Sequence, residues 1–304
     1  MTRASDPRRA NVSAAAGATA PAGAQAAAAA TGADPRPIGV FDSGIGGLTV
    51  LRRLWERLPN ESLVYFGDTA RLPYGTKSPE TVQRFSIENT MFLLKRGVKM
   101  VVVACHTSSA VALPLLKKRF DVPVVGVVEG GARAAVARTR SGRIGVIGTR
   151  ATIRSGAFEE AIHGIARDME VVSRACPLFV PIVEEGWSET AVARTVAEEY
   201  VGPLMKARVD TVILGCTHYP LLAGTLGEVF GRDVALIDPA EEAAAQVSAM
   251  IGEGCPGASV GPARHAFYLS DVPATFEEVG KRFLGRDLGP VERIEQTDLP
   301  WFER

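Results

Sequence analysis

The sequence predicts an α/β fold: two similar domains with mainly parallel sheets, related by a pseudo-twofold axis, with a site in the cleft between them. Three observations carry this. Short β-branched apolar runs recur along the chain, as expected of strands covered on both faces. They alternate with helix-like stretches rather than clustering, which selects parallel sheets. The order of segments also repeats. RPIGVFDSG at 36–44 matches GRIGVIGTR at 142–150, and KMVVVACHTSSAVALPLL at 99–116 matches DTVILGCTHYPLL at 210–222. VPVVGVVEGGARAAV at 122–136 matches DVALIDPAEEAAAQV at 233–247. Three matches in one order, at nearly constant spacing, mark two homologous halves.

Taken in order, residues 1–36 are Ala-rich and hold almost no large apolar side chain. Such a stretch cannot offset its ordering entropy and reads as a disordered tail. It lacks the Leu/Val-rich centre of a secretory signal, and Asp6 and Asp34 count against a transit peptide. From Pro37, strands are expected at 37–44, 62–69, 99–105, 122–128, 143–149, 211–216 and 233–238. The clearest helices are LTVLRRLWERL (48–58), SPETVQRFSIENTMFLLKRG (78–97) and ETAVARTVAEEYVGPLMKAR (189–208). The expected domains are 37–133 with 238–304, and 134–237.

Composition narrows the function. The 304 residues carry 34 Lys+Arg and 34 Asp+Glu, so there is no basic excess for a nucleic-acid partner. No apolar run approaches the roughly 18–20 residues that span a bilayer, so no membrane is expected. Four cysteines without a C-x-x-C pair do not form a disulfide framework. A reducing cytoplasm is the expected compartment.

In open parallel sheets, ligands bind beyond the carboxyl ends of the strands. Cys105 and Cys216 each follow a strand and precede a helical stretch, at matching places in the repeat. If the halves face each other, one thiol approaches a ligand from each side. Inverting a carbon centre by proton transfer needs one base and one acid on opposite faces. Free thiols titrate near about pH 8.5, and helix N-termini or cationic neighbours lower that, so a thiol/thiolate pair suits both directions. A lone Cys at a strand end is more often a small buried apolar residue. Two in equivalent polar turns, C-H-T and C-T-H, reverse that preference. Cys176 and Cys255 lack such surroundings and are read as structural.

Neighbouring features fit a small anionic ligand. DSGIGGLTVL follows a strand and opens a helix, whose amides can hold an anion; it lacks the dinucleotide G-x-G-x-x-G spacing. Asp42 is a candidate partner for the base on its own half, or else a plain helix-capping carboxylate. GDTARLPYGTKS reads as a polar loop or a simple turn. His218, two residues after Cys216, can tune that thiol. Zinc is the natural competitor for Cys/His clusters, but finger spacing is absent, and no metal is expected.

These residues resemble the glutamate racemases, from about Ile38 to about Asp298. The motifs are DSGIGGL at 42–48, FGDTARLPYGTKS at 66–78, ACHTSSA at 104–110, FVPIVEEG at 179–186 and GCTHYPLL at 215–222. The resemblance implies interconversion of L- and D-glutamate without pyridoxal phosphate or metal, with D-glutamate feeding peptidoglycan synthesis. It implies proton transfer by Cys105 and Cys216, with Asp42 assisting on one side and His218 with Glu184 on the other. Asp42, Ser43, Tyr74, Gly75, His106, Thr107, Thr217 and His218 would then contact the substrate. A homodimer is also implied. The chain departs from the family at His106, where Asn is usual. A neutral His also offers one donor and one acceptor, but its ring is larger and can become cationic. A cationic His106 would lower the Cys105 pKa; a bulky one would crowd the pocket. The alternatives are a racemase for another acidic amino acid, or a non-catalytic amino-acid-binding protein on the same scaffold. A thiol hydrolase needs only one cysteine.

Overall fold

The computed structural model describes residues 34–253 and 262–294. Most of the expected tail, and Cys255, lie outside the described residues. The chain first builds β1 (Ile38–Asp42), β2 (Leu63–Gly67), β3 (Met100–Val103) and β4 (Val124–Gly126), linked by helices α1 (Leu48–Arg57), α2 (Pro79–Lys95) and α3 (His106–Arg119). After α4 (Val128–Arg138) it builds β5 (Arg143–Gly148), β6 (Glu170–Ala175), β7 (Thr211–Gly215) and β8 (Ala235–Ile237). These are linked by α5 (Arg150–Arg154), α6 (Ala157–Ile165), α7 (Phe179–Glu184), α8 (Ala191–Lys206) and α9 (Ala223–Phe230). Helix α10 (Pro239–Glu253) then leads back to the first half, which β9 (His265–Leu269), α11 (Phe276–Leu284) and β10 (Val291–Arg293) complete.

The strands form two sheets, of order β10-β9-β2-β1-β3-β4 and β6-β5-β7-β8. Every pairing is parallel. Four consecutive strands take the same order in each half: β2-β1-β3-β4 and β6-β5-β7-β8. The repeat read from the sequence is thus a repeat of topology. Strands β1, β2, β3 and β7 are buried along their whole length, which is why their sequences are continuous rather than alternating.

Local signals place the helices. Ser78 caps α2 by accepting the Thr81 amide, with Pro79 at the first helical position, a pairing that satisfies an orphan donor and pre-sets φ. Helix α1 buries Leu48, Val50, Leu51 and Leu54, each contributing about 1.5–3 kcal/mol. Helix α10 packs on both α1 and α4 and so joins the halves.

Three strands escape the sequence pattern. β6 is half-exposed at a sheet edge, β9 is only partly buried, and β10 has three residues, mostly exposed. The helix expected directly after Cys216 also differs. A 3₁₀ turn at Tyr219–Leu222 comes first, with Pro220 inside it, and α9 follows. Pro220 has no amide to continue an α-helical ladder, and the turn closes through Tyr219 N–H to Cys216 O at 3.1 Å and Leu221 N–H to His218 O at 3.1 Å.

Candidate active site

Beyond the carboxyl ends of β1, β3, β5 and β7 lies a cavity of about 160 Å³. Ser43, Tyr74, Gly75, Cys105, His106 and Thr107 line it from the first half; Glu184, Cys216, Thr217 and His218 line it from the second. Asp42 alone among the predicted residues is not on the wall. Its carboxylate lies behind, 1% exposed, with Oδ2 accepting the Gly44 amide at 2.9 Å and Oδ1 unpartnered. It does not cap α1, whose first turn has no side-chain cap. The turn is tight because a Cβ at Gly46 would lie 2.6 Å from the His218 ring of the other half; glycine permits that approach.

The two thiols occupy unlike surroundings. Cys105 is the N-cap of α3, its Sγ accepting the Ser108 amide at 3.5 Å. A helix N-terminus lowers a thiol pKa, but burial, followed by the Asp42 charge, pushes Cys105 up to about 11. It therefore rests as a thiol. Cys216 Sγ lies 3.8 Å from His218 Nδ1, whose Nε2 lies 3.0 Å from Glu184 Oε1. Burial alone would depress His218; the hydrogen bonds and charges of Cys216 and Glu184 outweigh it and push the ring up to about 10. One flank thus holds a neutral thiol and the other an imidazolium between sulfur and carboxylate.

His106 is the opposite case. It is 3% exposed, and neither ring nitrogen has a partner within the protein. Burial drives its pKa to about 3, the His218 charge adding to the effect. A cationic His106 is accordingly not present near neutral pH, and it does not lower the Cys105 pKa.

The two histidines give opposite stability windows. The unfolded chain binds the proton more tightly at His106, so stability falls as pH drops below about 6.5 toward 3. The folded chain binds it more tightly at His218, so that contribution is lost as pH rises from about 6.5 through 10. Thermal unfolding followed from pH 4 to 10 is expected to show a midpoint that falls on both sides of about pH 6.5. A H218N variant should flatten the alkaline side.

Tyr74 lines the cavity, but its hydroxyl is engaged elsewhere: it donates to Asp68 and accepts from Asn89 Nδ2 at 3.1 Å. Thr107 Oγ1 forms a hydroxyl triangle with Thr149 at 3.0 Å and Thr152 at 3.1 Å, tying α3 to α5 across the halves. Thr149 also lines the cavity. Sequence reasoning missed it, although aligning IGVFDS with IGVIGT pairs Thr149 with Ser43. Among the described residues, no three His, Cys, Asp or Glu side chains gather as metal ligands, and no helix is long and apolar enough to cross a membrane.

The Asp/Glu/Hydantoin racemase family model matches residues 38–247. A glutamate racemase of Geobacter metallireducens is 54% identical over 262 residues, covering 85% of this chain and 96% of its own. The crystal structure of the Francisella tularensis glutamate racemase, solved with D-glutamate, superposes with a TM-score of 0.81 at 38% identity, covering 86% of this chain and 98% of that one. The Thermus thermophilus glutamate racemase, solved with β-chloro-D-alanine, gives 0.79 at 45% identity, covering 88% and 100%. With two sheets of matching order and two cysteines on one cavity, the chain belongs to the Asp/Glu/hydantoin racemase family, among its glutamate racemases.

Proposed function

We propose that this chain interconverts L- and D-glutamate by two-base proton transfer at Cα, supplying D-glutamate for peptidoglycan synthesis. The observation that carries the mechanism is that Cys105 and Cys216 reach a single small cavity from two different sheets. Glutamate binds with Cα between the sulfurs. In one direction Cys216, acting as the base, takes the Cα proton, and the Cys105 thiol delivers its own proton to the opposite face. The reverse reaction starts from the opposite protonation pattern. The His218 imidazolium steadies the anionic sulfur, and Glu184 holds its ring. Asp42 acts through Cys105 rather than on the substrate, keeping that thiol protonated until transfer. Positioned acid/base groups supply about 10²–10⁴-fold each. Exclusion of water and the α3 amides beside the cavity contribute to holding the carbanion-like state.

Ser43, Tyr74, Gly75, His106, Thr107 and Thr217 hold the carboxylates and ammonium. With its hydroxyl engaged, Tyr74 offers its ring and backbone. We take the domains as 37–133 with 238–304, and 134–237, the compartment as the reducing cytoplasm that the cysteine usage suggests, and the working form as a homodimer, as the family resemblance implies.

The test is incubation of L-glutamate in deuterium oxide with a metal chelator and no added cofactor, followed by circular dichroism and α-proton NMR. Inversion with deuterium at Cα is expected. Glutamate binding without inversion would replace this reading with the amino-acid-binding one. His106 gives a second check. Because the ring is neutral over the working range, H106N keeps one donor and one acceptor. It is expected to leave the pH profile of kcat/KM in place and to change KM by less than about tenfold, roughly one hydrogen bond. A displaced pH profile would show that His106 titrates in the cycle.

A further inference from the structure

The His218–Glu184 pair sits on the second half, yet two residues of a first-half helix fix its place. Helix α11 packs on α1 and lies beyond the residues 38–247 that the family model matches. Arg282 in its last turn donates from Nη2 to the Glu184 carbonyl at 2.8 Å. The next residue, Phe283, is 1% exposed and meets the His218 ring edge-to-face, centroids 5.0 Å apart at 80°. The loop after α7 is shaped to admit this arginine. Gly186 has φ +75, and a Cβ there would overlap the Arg282 guanidinium. The imidazole is therefore bounded by Cys216, Glu184 and Phe283, and the backbone of Glu184 is tied to the opposite half.

We propose that α11 is a positioning element for the Cys216 flank: Phe283 sets the plane of the His218 ring, and Arg282 holds Glu184 at the distance where its carboxylate meets Nε2. This rests on the reading that His218 serves Cys216. Neither residue touches the cavity, so neither is catalytic. A displacement of about 1 Å in a reacting group can cost on the order of 100-fold, which is the leverage such contacts have.

The charged and titratable groups around His218 are Glu184 on α7, Cys216 after β7, Asp42 at the end of β1, neutral His106 on α3, and Arg282 itself. They make the sign of the test decisive. Losing the Arg282 cation would by itself raise the His218 pKa; releasing Glu184 would lower it. The experiment is an NMR titration of isotope-labelled histidine in the unliganded protein, with kcat and KM, for Arg282→Met, Arg282→Lys and Phe283→Leu. For R282M we expect His218 to titrate about one pH unit lower, and kcat to fall about tenfold or more with KM changed less than about twofold. R282K should recover most of both, and F283L should lower kcat in the same way. If His218 in R282M titrates unchanged or higher, or if R282K is no better than R282M, the proposal is overturned. The titration needs no turnover. A wild type that fails to racemise glutamate therefore refutes the functional reading alone, and a racemase whose His218 ignores R282M refutes the role of α11 alone.

Discussion

Replacing Cys216 or Cys105 by alanine is expected to lower glutamate racemisation by at least about 10³-fold, toward the upper end of what a positioned acid or base supplies. Each variant keeps one thiol on one face of Cα. That thiol can still remove a proton and return deuterium to the same face. Slow α-deuterium incorporation without inversion is therefore expected, for one enantiomer in C216A and for the other in C105A. The fold should persist: each sulfur is buried but leaves only a small gap when truncated to Ala. Full inversion by either variant, measured by circular dichroism with α-proton NMR, would sink the two-base mechanism. Exchange of both enantiomers by one variant would show that a single group reaches both faces.

The largest stability effect is expected away from the chemistry, at Arg71. Its side chain is 12% exposed and lies between two buried carboxylates: Nε pairs with Asp68 at 2.7 Å, and Nη1 pairs with Glu88. Nη2 donates to Asn89 at 3.0 Å, and the guanidinium stacks 4.1 Å from the Phe85 ring centroid. Asp68 also accepts from Tyr74 and, at 3.0 Å, from Ser270. Removing this cation leaves two buried carboxylates without the charge that pairs them, a situation that costs about 3–5 kcal/mol. Arg71→Met is thus expected to lower the unfolding midpoint by roughly 10 °C. Because the same carboxylate anchors the Tyr74 hydroxyl, the cavity wall at 73–75 should loosen and KM should rise. Differential scanning calorimetry and initial rates check both. An R71M variant as stable as the parent would mean that the network is not satisfied as described.

The contrast between these two sites shows what a chain reveals before it folds. The cysteine turns were legible because the repeat set C-H-T and C-T-H at the same place in two strand–turn units. The cavity brings both cysteines together with eight of the other nine residues named in advance. Asp42 lies one layer behind the substrate contact that the resemblance implied: the Gly44 amide of its own turn holds the carboxylate, and its charge acts on Cys105, as its reading as a partner for the base expects. The network at Arg71 was read as a polar loop, since nothing local says that Glu88 and Asn89, on the next helix, will arrive there. The same holds for Arg282 and Phe283, whose meaning depends on a crossing between halves. Thr149 had a signal in the repeat, masked because Thr after Gly reads as an ordinary helix cap, which it also is.

The unlike flanks of the two thiols have a kinetic consequence. Enantiomers have equal free energy in water, so the equilibrium constant is unity and the two directions must share one value of kcat/KM. A neutral thiol beside Asp42 and a sulfur beside an imidazolium give the two bound enantiomers no reason to turn over equally fast. Whichever enantiomer has the lower kcat must then have a KM lower by the same factor. Any change confined to one flank, at His218 or at Asp42, can tilt saturation toward one hand of glutamate but never the final ratio.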